Sequence, residues 1–479
     1  MLPRCRLEGE PFTIPTFDLH ATDVTGFLEE LQEFQSLFHD CFARSEARSH
    51  FQDYMVGQCS PLARKSIEPM ACKVEGSQVR CLQRFVSETA WDDEQLRWTY
   101  HHLVDETMGD AEGVLLFDES GVVKKGRDSA GVARQYCGSV GKVENSQVGV
   151  FAGYASRQGY ALLDAQLFLP EVWFEPTHEV RRTKCQVPPE VTFQTKPQLA
   201  AAMLRRISQD GLLSFRYIVA DSVYGNSPEF WTALDACVGT TALVAISSET
   251  RCWVQRPPVQ TKTYRYQGAE RTKSQVHPAV PAPQSVAALA ASLPSWRWYR
   301  RTVSVGTKGP IVYDVARQRV TLCKETLPER TVWLVVKRTL GPEPTYAYAV
   351  SNAPASLPFR TLLWLSSVRW AIEQCFEECK TELGMAHYEV RKYAGWHHHM
   401  MLTMLAHFFL WHLKVRLGEK SPGSHRVTTA AITGGRLAHA DVYDTGNFGA
   451  DRVGATAQSP SLSLASETTG DRRLKKVAL

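Results

Sequence analysis

Apolar residues recur at three- and four-residue intervals in TGFLEELQEFQSLFHDCF, and this helical texture continues through the first 110 residues. Within it, LARKSIEPMACKVEG and SQVRCLQRFVSET are two short amphipathic stretches around Gly76, a spacing that permits a helix-turn-helix. Asp92 reads as the N-cap of DDEQLRWTYHHLVDE. From about residue 111 the pattern changes to strands, and GVLLFD, QVGVFAGYAS and GYALLDAQLFL follow closely enough to predict a meander. KPQLAAAMLRRISQDG then reads as a helix, RYIVAD as a nearly all-apolar strand, PEFWTALDAC as a helix and TALVAIS as another strand. Apolar strands alternating with helices predict a sheet covered on both faces.

Three strands, helix, strand, helix, strand is the order of the ribonuclease H-like fold, in which the first and fourth strands lie side by side. Asp118 and Asp221 close those two strands in the sequence pattern. The expected fold class is α/β, a ribonuclease H-like mixed sheet flanked by helices. A helical N-terminal domain is expected over 1–110 and the catalytic domain over 111–420. More than a hundred residues separate Ser247 from the next core helix, too many for a simple connection. VQRPPVQTKTYRYQ and HPAVPAPQ read as irregular, whereas WRWYRRTVSV, GPIVYDVA, RTVWLVVKRTL and TYAYAVSN read as strands, so a β-rich insertion is placed at 248–355. FRTLLWLSSVRWAIEQCFEECKTELG and HHHMMLTMLAHFFLWHLKVRLGE are the longest helical segments. Residues 421–479, rich in Gly, Ser, Thr and Ala without a sustained period, read as a disordered tail with the texture of a shifted reading frame.

Composition narrows the class. A chain of 479 residues with 44% hydrophobic residues can build more than one core. It has no run of 18 apolar residues and no signal-peptide pattern, so a cytoplasmic protein without membrane contact is expected. Its 12 cysteines form no CxxC pair, and Cys375 and Cys379, beside Ile372, Phe376 and Leu383, read as small buried hydrophobes. The net charge of +4 is unevenly spread. Residues 1–110 hold 10 Lys/Arg against 19 Asp/Glu, whereas residues 251–345 hold 16 against 5, an excess suited to a polyanion.

The candidate chemistry gathers on RWAIEQCFEECK. At 100° per residue Arg369, Glu373, Glu377 and Lys380 share one helix face, which by itself reads as a surface row of i,i+4 pairs. Two strand-end aspartates change that reading, because three carboxylates on rigid elements suit a two-metal phosphoryl-transfer site. Lys124, Lys125, Arg127 and Arg134 follow the first aspartate in a glycine-punctuated loop where they could neutralise phosphates. Trp296, Trp298 and Tyr299 could stack on an unpaired base, although packing of a sheet core is the expected role. His397, His398 and His399 point about 100° apart on a helix and cannot easily converge on one ion.

With Arg369, Glu373 and Lys380 matching a Tyr, Arg, Glu, Lys signature in which Ser366 replaces the tyrosine, the chain resembles the DDE transposases of bacterial insertion sequences. The IS-four-related group and its IS-seven-hundred-and-one relatives are the nearest in pattern. FDESGVVKKG, GVARQYCGSVGKVEN and VADSVYG are similar to that family as well. The resemblance covers about residues 20–420 and selects Glu373 over Glu377. It implies that Asp118, Asp221 and Glu373 hold two Mg²⁺ ions, with Mn²⁺ able to substitute. It also implies that Arg369 and Lys380 contact DNA near the cut, that DNA ends and target are the partners, and that a homodimer forms on DNA. The alternatives are a ribonuclease H-like nuclease and a degenerate copy that binds DNA without transposing.

Overall fold

The computed structural model describes residues 26–420 apart from 268, 307 and 308, with no side chains described for 304–306 and 415–420. The expectations for residues 421–479 therefore lie outside the described residues. The helical stretch comprises α1 (Phe27–Ser36), α2 (Ser45–Cys59), α3 (Ile67–Lys73), α4 (Val79–Ser87) and α5 (Asp93–Met108). Asp92 caps α5 by accepting a hydrogen bond from the Gln95 amide, as its position before the apolar run predicts. Lys65, which a helix-turn-helix would offer to phosphate, is instead buried and donates to the carbonyls of Gln58 and Glu382.

Eight elements follow: β1 (Val114–Val123), β2 (Ala133–Cys137), β3 (Lys142–Ala155), β4 (Tyr160–Phe168), α6 (Glu179–Lys184), α7 (Lys196–Asp210), β5 (Tyr217–Ala220) and the short α8 (Ser222–Gly225). Then come α9 (Pro228–Ala236) and β6 (Thr241–Ala245). The order β4-β3-β1-β5-β6 has β3 antiparallel to both its neighbours and β1, β5 and β6 parallel. This is the ribonuclease H-like sheet that the alternation of strands and helices predicts. Residues of β5 are buried throughout, and α7 starts with a capping box at Thr195 and stops at Gly211, whose φ of 63° suits a residue without a side chain.

The inserted segment holds β7 (Arg251–Trp253), β8 (Val259–Tyr266), β9 (Ala269–Val276), β10 (Gln284–Ser285) and α10 (Val286–Ser292). It continues through β11 (Tyr299–Gly306), β12 (Gly309–Lys324), β13 (Leu327–Arg338) and β14 (Tyr346–Ser351). Its strands extend the main sheet rather than forming a second one: β14 pairs antiparallel with β6, and the order continues through β13, β12 and β7 to β10. Only β8 and β9 stand apart, as a two-stranded ribbon. The sequence pattern makes that segment irregular because the ribbon buries neither face, so no apolar alternation marks it.

The long apolar segment after the insertion splits into α11 (Phe359–Val368) and α12 (Trp370–Thr381) at Arg369. Just before the break, the Ser366 and Ser367 hydroxyls donate to the carbonyls of Leu363 and Trp364, the kind of back-bonding that competes with helix continuation. Cys375 and Cys379 are buried on α12 as expected of small hydrophobes. The last helix, α13 (Tyr393–Lys420), lies against β4 and packs with α2 and α4, so the N-terminal helices and the sheet share it. Its three histidines diverge: His397 faces the Leu167 amide, His398 stacks on Trp91 and His399 meets the Tyr54 hydroxyl.

Candidate active site

Register places the two aspartates together. On the parallel pair β1/β5, Phe117 lies opposite Ala220, so Asp118 and Asp221 come next on adjacent chains. Asp118 does not end its strand, as the sequence pattern suggests. β1 runs on to Val123 because the long β3 keeps pairing with it after β5 has stopped. Asp221 leaves β5 and caps α8, its Oδ1 accepting from the Val223 amide at 2.6 Å. Because β1 continues, Glu119 falls on the opposite face, where it pairs with Lys196 in the first turn of α7 at 2.8 Å.

The third carboxylate comes from α12. Arg369, at the α11/α12 junction, places Nη1 2.6 Å from Asp118 Oδ2 and Nη2 2.5 Å from Glu373 Oε1. One guanidinium thus ties a strand carboxylate to a helix carboxylate. Burial pushes the Asp118 carboxyl up to about 6 against the pull of Arg369 and the Glu119 amide, while Asp221 and Glu373 add to the rise. Asp118 therefore feels both other acids. Glu377, one turn further along α12, is exposed and takes no part in the guanidinium bridge.

Hard carboxylate oxygens from β1, the end of β5 and α12 are the donor set that a divalent cation of the magnesium type requires. The residues fit such a group in kind, and a cation already occupies the space between two of them. Among the described residues no three acidic, His or Cys side chains close tightly enough to hold an ion, and Arg369 lies between Asp118 and Glu373.

The basic residues divide into two sets. Lys125, Arg127 and Arg134 are exposed. Lys124 is tucked in, donating to the Tyr388 carbonyl at 2.9 Å and lying 3.4 Å from the centre of the Tyr388 ring, and burial brings its ammonium down to about 8 against the opposing effect of Glu389. Lys380 is half-buried on α12, 6.0 Å from the Phe376 ring, and burial holds it below the usual lysine range. Of the three aromatic residues assigned to core packing, Trp298 packs against the core under Arg338, whereas Trp296 and Tyr299 are exposed.

Lys337 is a neighbour that the sequence pattern does not single out. It projects from β13 and donates to the carbonyl of Ser366 at 3.2 Å, at the residue that replaces the signature tyrosine. Burial, and next the charge of Arg369, bring its ammonium down to about 8. A lone lysine in the apolar run TVWLVVK is the signal that could have found it.

A ribonuclease H-like sheet with one acid within β1, one just past the end of β5 and one on α12 is the class of scaffold that the fold and site define. The family comparison agrees: residues 37–310 match the model of the DDE superfamily endonucleases, and the chain belongs to that family. The match spans Asp118 and Asp221 and stops before Glu373. The chain is similar to the probable transposase for insertion sequence element IS701 of Microchaete diplosiphon, 26% identical over 381 residues that cover 78% of this chain and 84% of that one. The resemblance read from the sequence is borne out. Among solved structures the piggyBac transposase synaptic complex with hairpin DNA aligns at a TM-score of 0.40 and 10% identity, covering 86% of this chain and 76% of that one. Among the described residues, no helix is long and apolar enough to cross a membrane.

Proposed function

We propose that this protein is a DNA transposase that cuts at the terminal inverted repeats of an insertion sequence and joins the ends to target DNA. The observation that supports it most is the neighbouring position of Asp118 and Asp221 on the β1/β5 pair, with Arg369 bridging Asp118 to Glu373. In this reading the three carboxylates hold two Mg²⁺ ions, or Mn²⁺ in their place. Such ions supply Lewis-acid stabilisation of both the attacking and the leaving oxygen.

The chain's own residues supply position. β1 and β5 are buried on rigid neighbours and fix the two aspartates. α12 holds Glu373 by burying Ile372, Cys375, Phe376 and Cys379 beneath it. Arg369 neutralises Asp118 and Glu373 while DNA is absent, and turns to a phosphate when the carboxylates take their ligands. Lys380 and the exposed Lys125, Arg127 and Arg134 lie ready for backbone phosphates, and Lys124 shapes the base of their loop. The protein works in a bacterial cytoplasm, as a homodimer when two DNA ends are held together.

Incubating the full chain with duplexes carrying its own element ends, with and without Mg²⁺, tests this. Metal-dependent nicks followed by joined products are expected. Cleavage without joining would leave a nuclease, binding alone would leave a degenerate copy, and cleavage that survives Asp118→Ala would remove the carboxylate site from the reaction.

A further inference from the structure

Strands β8 and β9 form an eight-by-eight ribbon whose pleat sorts its side chains. Register places Lys262 opposite Lys273, Tyr264 opposite Arg271 and Tyr266 opposite Ala269, all on one face. Thr261 opposite Ser274, Thr263 opposite Thr272 and Arg265 opposite Glu270 make up the other. Glu270 is the ribbon's only acid, so one face carries three cations and two tyrosines with no carboxylate. Tyr264 and Tyr266 are 41% and 52% exposed, and the Arg271 guanidinium lies 5.2 Å from the Tyr266 ring.

Among the described residues no ion pair balances this face. An isolated two-stranded ribbon is marginally stable in water, and like charges directly across a ladder weaken it further. The Lys262/Lys273 pair is such a contact, and among the described residues neither lysine has a carboxylate partner to relieve it. A polyanion lying on that face would turn the repulsion into attraction. Eight residues at about 3.3 Å each give a reach of about 26 Å. The major groove of B-form DNA, about 12 Å wide, admits a two-stranded ribbon.

We infer that the β8/β9 ribbon is a DNA-binding arm that lays its Lys262, Arg271 and Lys273 face, with Tyr264 and Tyr266, into a groove of duplex DNA away from the carboxylate site. The arm deepens the transposase reading and rests on it for the identity of the polyanion. The lysines and Arg271 neutralise phosphates along the groove walls. The tyrosines add flat apolar contact with hydroxyl ends toward the bases. Arg265, balanced by Glu270 on the opposite face, takes no part.

Binding of the full chain to a mixed-sequence DNA duplex, measured in EDTA across a range of salt concentrations, tests the arm without calling on catalysis. Combining Lys262→Gln, Arg271→Gln and Lys273→Gln should weaken binding at least about tenfold at physiological salt. It should also flatten the logarithmic salt dependence by about 2 to 3, near 0.9 for each phosphate that is no longer neutralised. Arg265→Gln should leave both quantities unchanged within about twofold, because its face is turned away. All four positions are exposed, and unaltered thermal unfolding verifies that the fold persists. An unchanged affinity and slope in the triple variant, or an equal loss from Arg265→Gln, overturns the arm while leaving the carboxylate site intact. Tighter binding to single strands or to anionic vesicles than to the duplex also overturns it. A wild-type chain that binds no duplex sinks both the arm and the transposase reading, whereas loss of cleavage with arm-dependent binding retained sinks only the latter.

Discussion

The two ends of the large sheet use opposite surfaces. At the ribonuclease H-like end, β5 is buried along its whole length and β3 over its last ten residues, and the only charges admitted to the middle of β1 are Asp118 and Glu119, each paired with a cation. At the inserted end, β12 is half exposed, its Arg317 and Arg319 lie over the Trp333 ring, and the β8/β9 ribbon has no buried residue. One end spends its apolar residues on holding acids in fixed positions; the other carries many of its cations at the surface. Lys337 crosses between them, carried by an inserted strand yet hydrogen-bonded to Ser366 beside the acidic site. Substitutions at the first end should therefore act as a switch on chemistry, and those at the second should act gradually on binding.

The sharpest break in that comparison comes from the carboxylates. Asp118→Ala, Asp221→Ala or Glu373→Ala should each lower Mg²⁺-dependent cleavage by at least about a thousandfold, because residues that act as a unit fail together. Sequence-specific binding in a gel-shift assay should be largely kept. Glu377→Ala should cleave normally, since Glu377 has no part in the Arg369 bridge. If the losses at Glu373 and Glu377 were reversed, the wrong helix carboxylate would have been assigned.

What sequence could show follows the same division. The strands and helices of the buried end are written in apolar runs of the right length, and three acids stand out because they interrupt those runs or start a helix face. The ribbon is illegible by that method: Thr, Lys, Tyr and Arg alternate there without an apolar face, and two prolines precede it. The joining of the insertion to β6 depends on pairing between residues a hundred positions apart, such as Val244 and Val350, which no local pattern records. Arg369 was legible as a signature residue, but its hold on Asp118 spans 251 positions and required the fold.

Acid should separate the helical layer from the insertion next. Burial lowers His397 to about 4 and His399 to about 3 from an ordinary value of 6.5, so both are neutral in the folded chain. Below pH 6.5 the unfolded chain takes up protons that the folded chain refuses. Stability should therefore fall as pH drops from about 6.5 towards 4, by up to about 1.4 kcal/mol per pH unit for each group, continuing towards 3 for His399 alone. Hydrogen exchange at pH 5 should show α13 and its helical neighbours loosening before β12 and β13, and simultaneous loosening would count against this origin.

A smaller effect concerns the support under α12. Lys65 donates to the Glu382 carbonyl at the helix's C-terminal end and to the Gln58 carbonyl at 2.6 Å. Lys65→Met keeps much of the apolar stem but leaves two carbonyls without their donor, which should cost about 1 to 3 kcal/mol in urea unfolding. Arg64→Met, one residue away and paired only with exposed Glu389, should cost less than about 1 kcal/mol. Equal costs would show that Lys65 acts as surface charge and not as a buried support.

The finest test lies inside one loop, where Lys124 and Lys125 differ by a single position and by the environment each meets. Lys125 is exposed, so Lys125→Gln should free about one phosphate, lowering the salt slope of duplex binding by about 0.9 without changing unfolding. Lys124 is held against Tyr388 by a hydrogen bond and by the ring face, so Lys124→Gln should cost about 1 kcal/mol of stability and leave the salt slope in place. Measuring slope and unfolding on both variants places each lysine on one axis. If Lys124→Gln changed the slope as much as Lys125→Gln, its ammonium would have to leave Tyr388 when DNA arrives. The boundary between structural and phosphate-facing charge would then move one residue closer to Asp118.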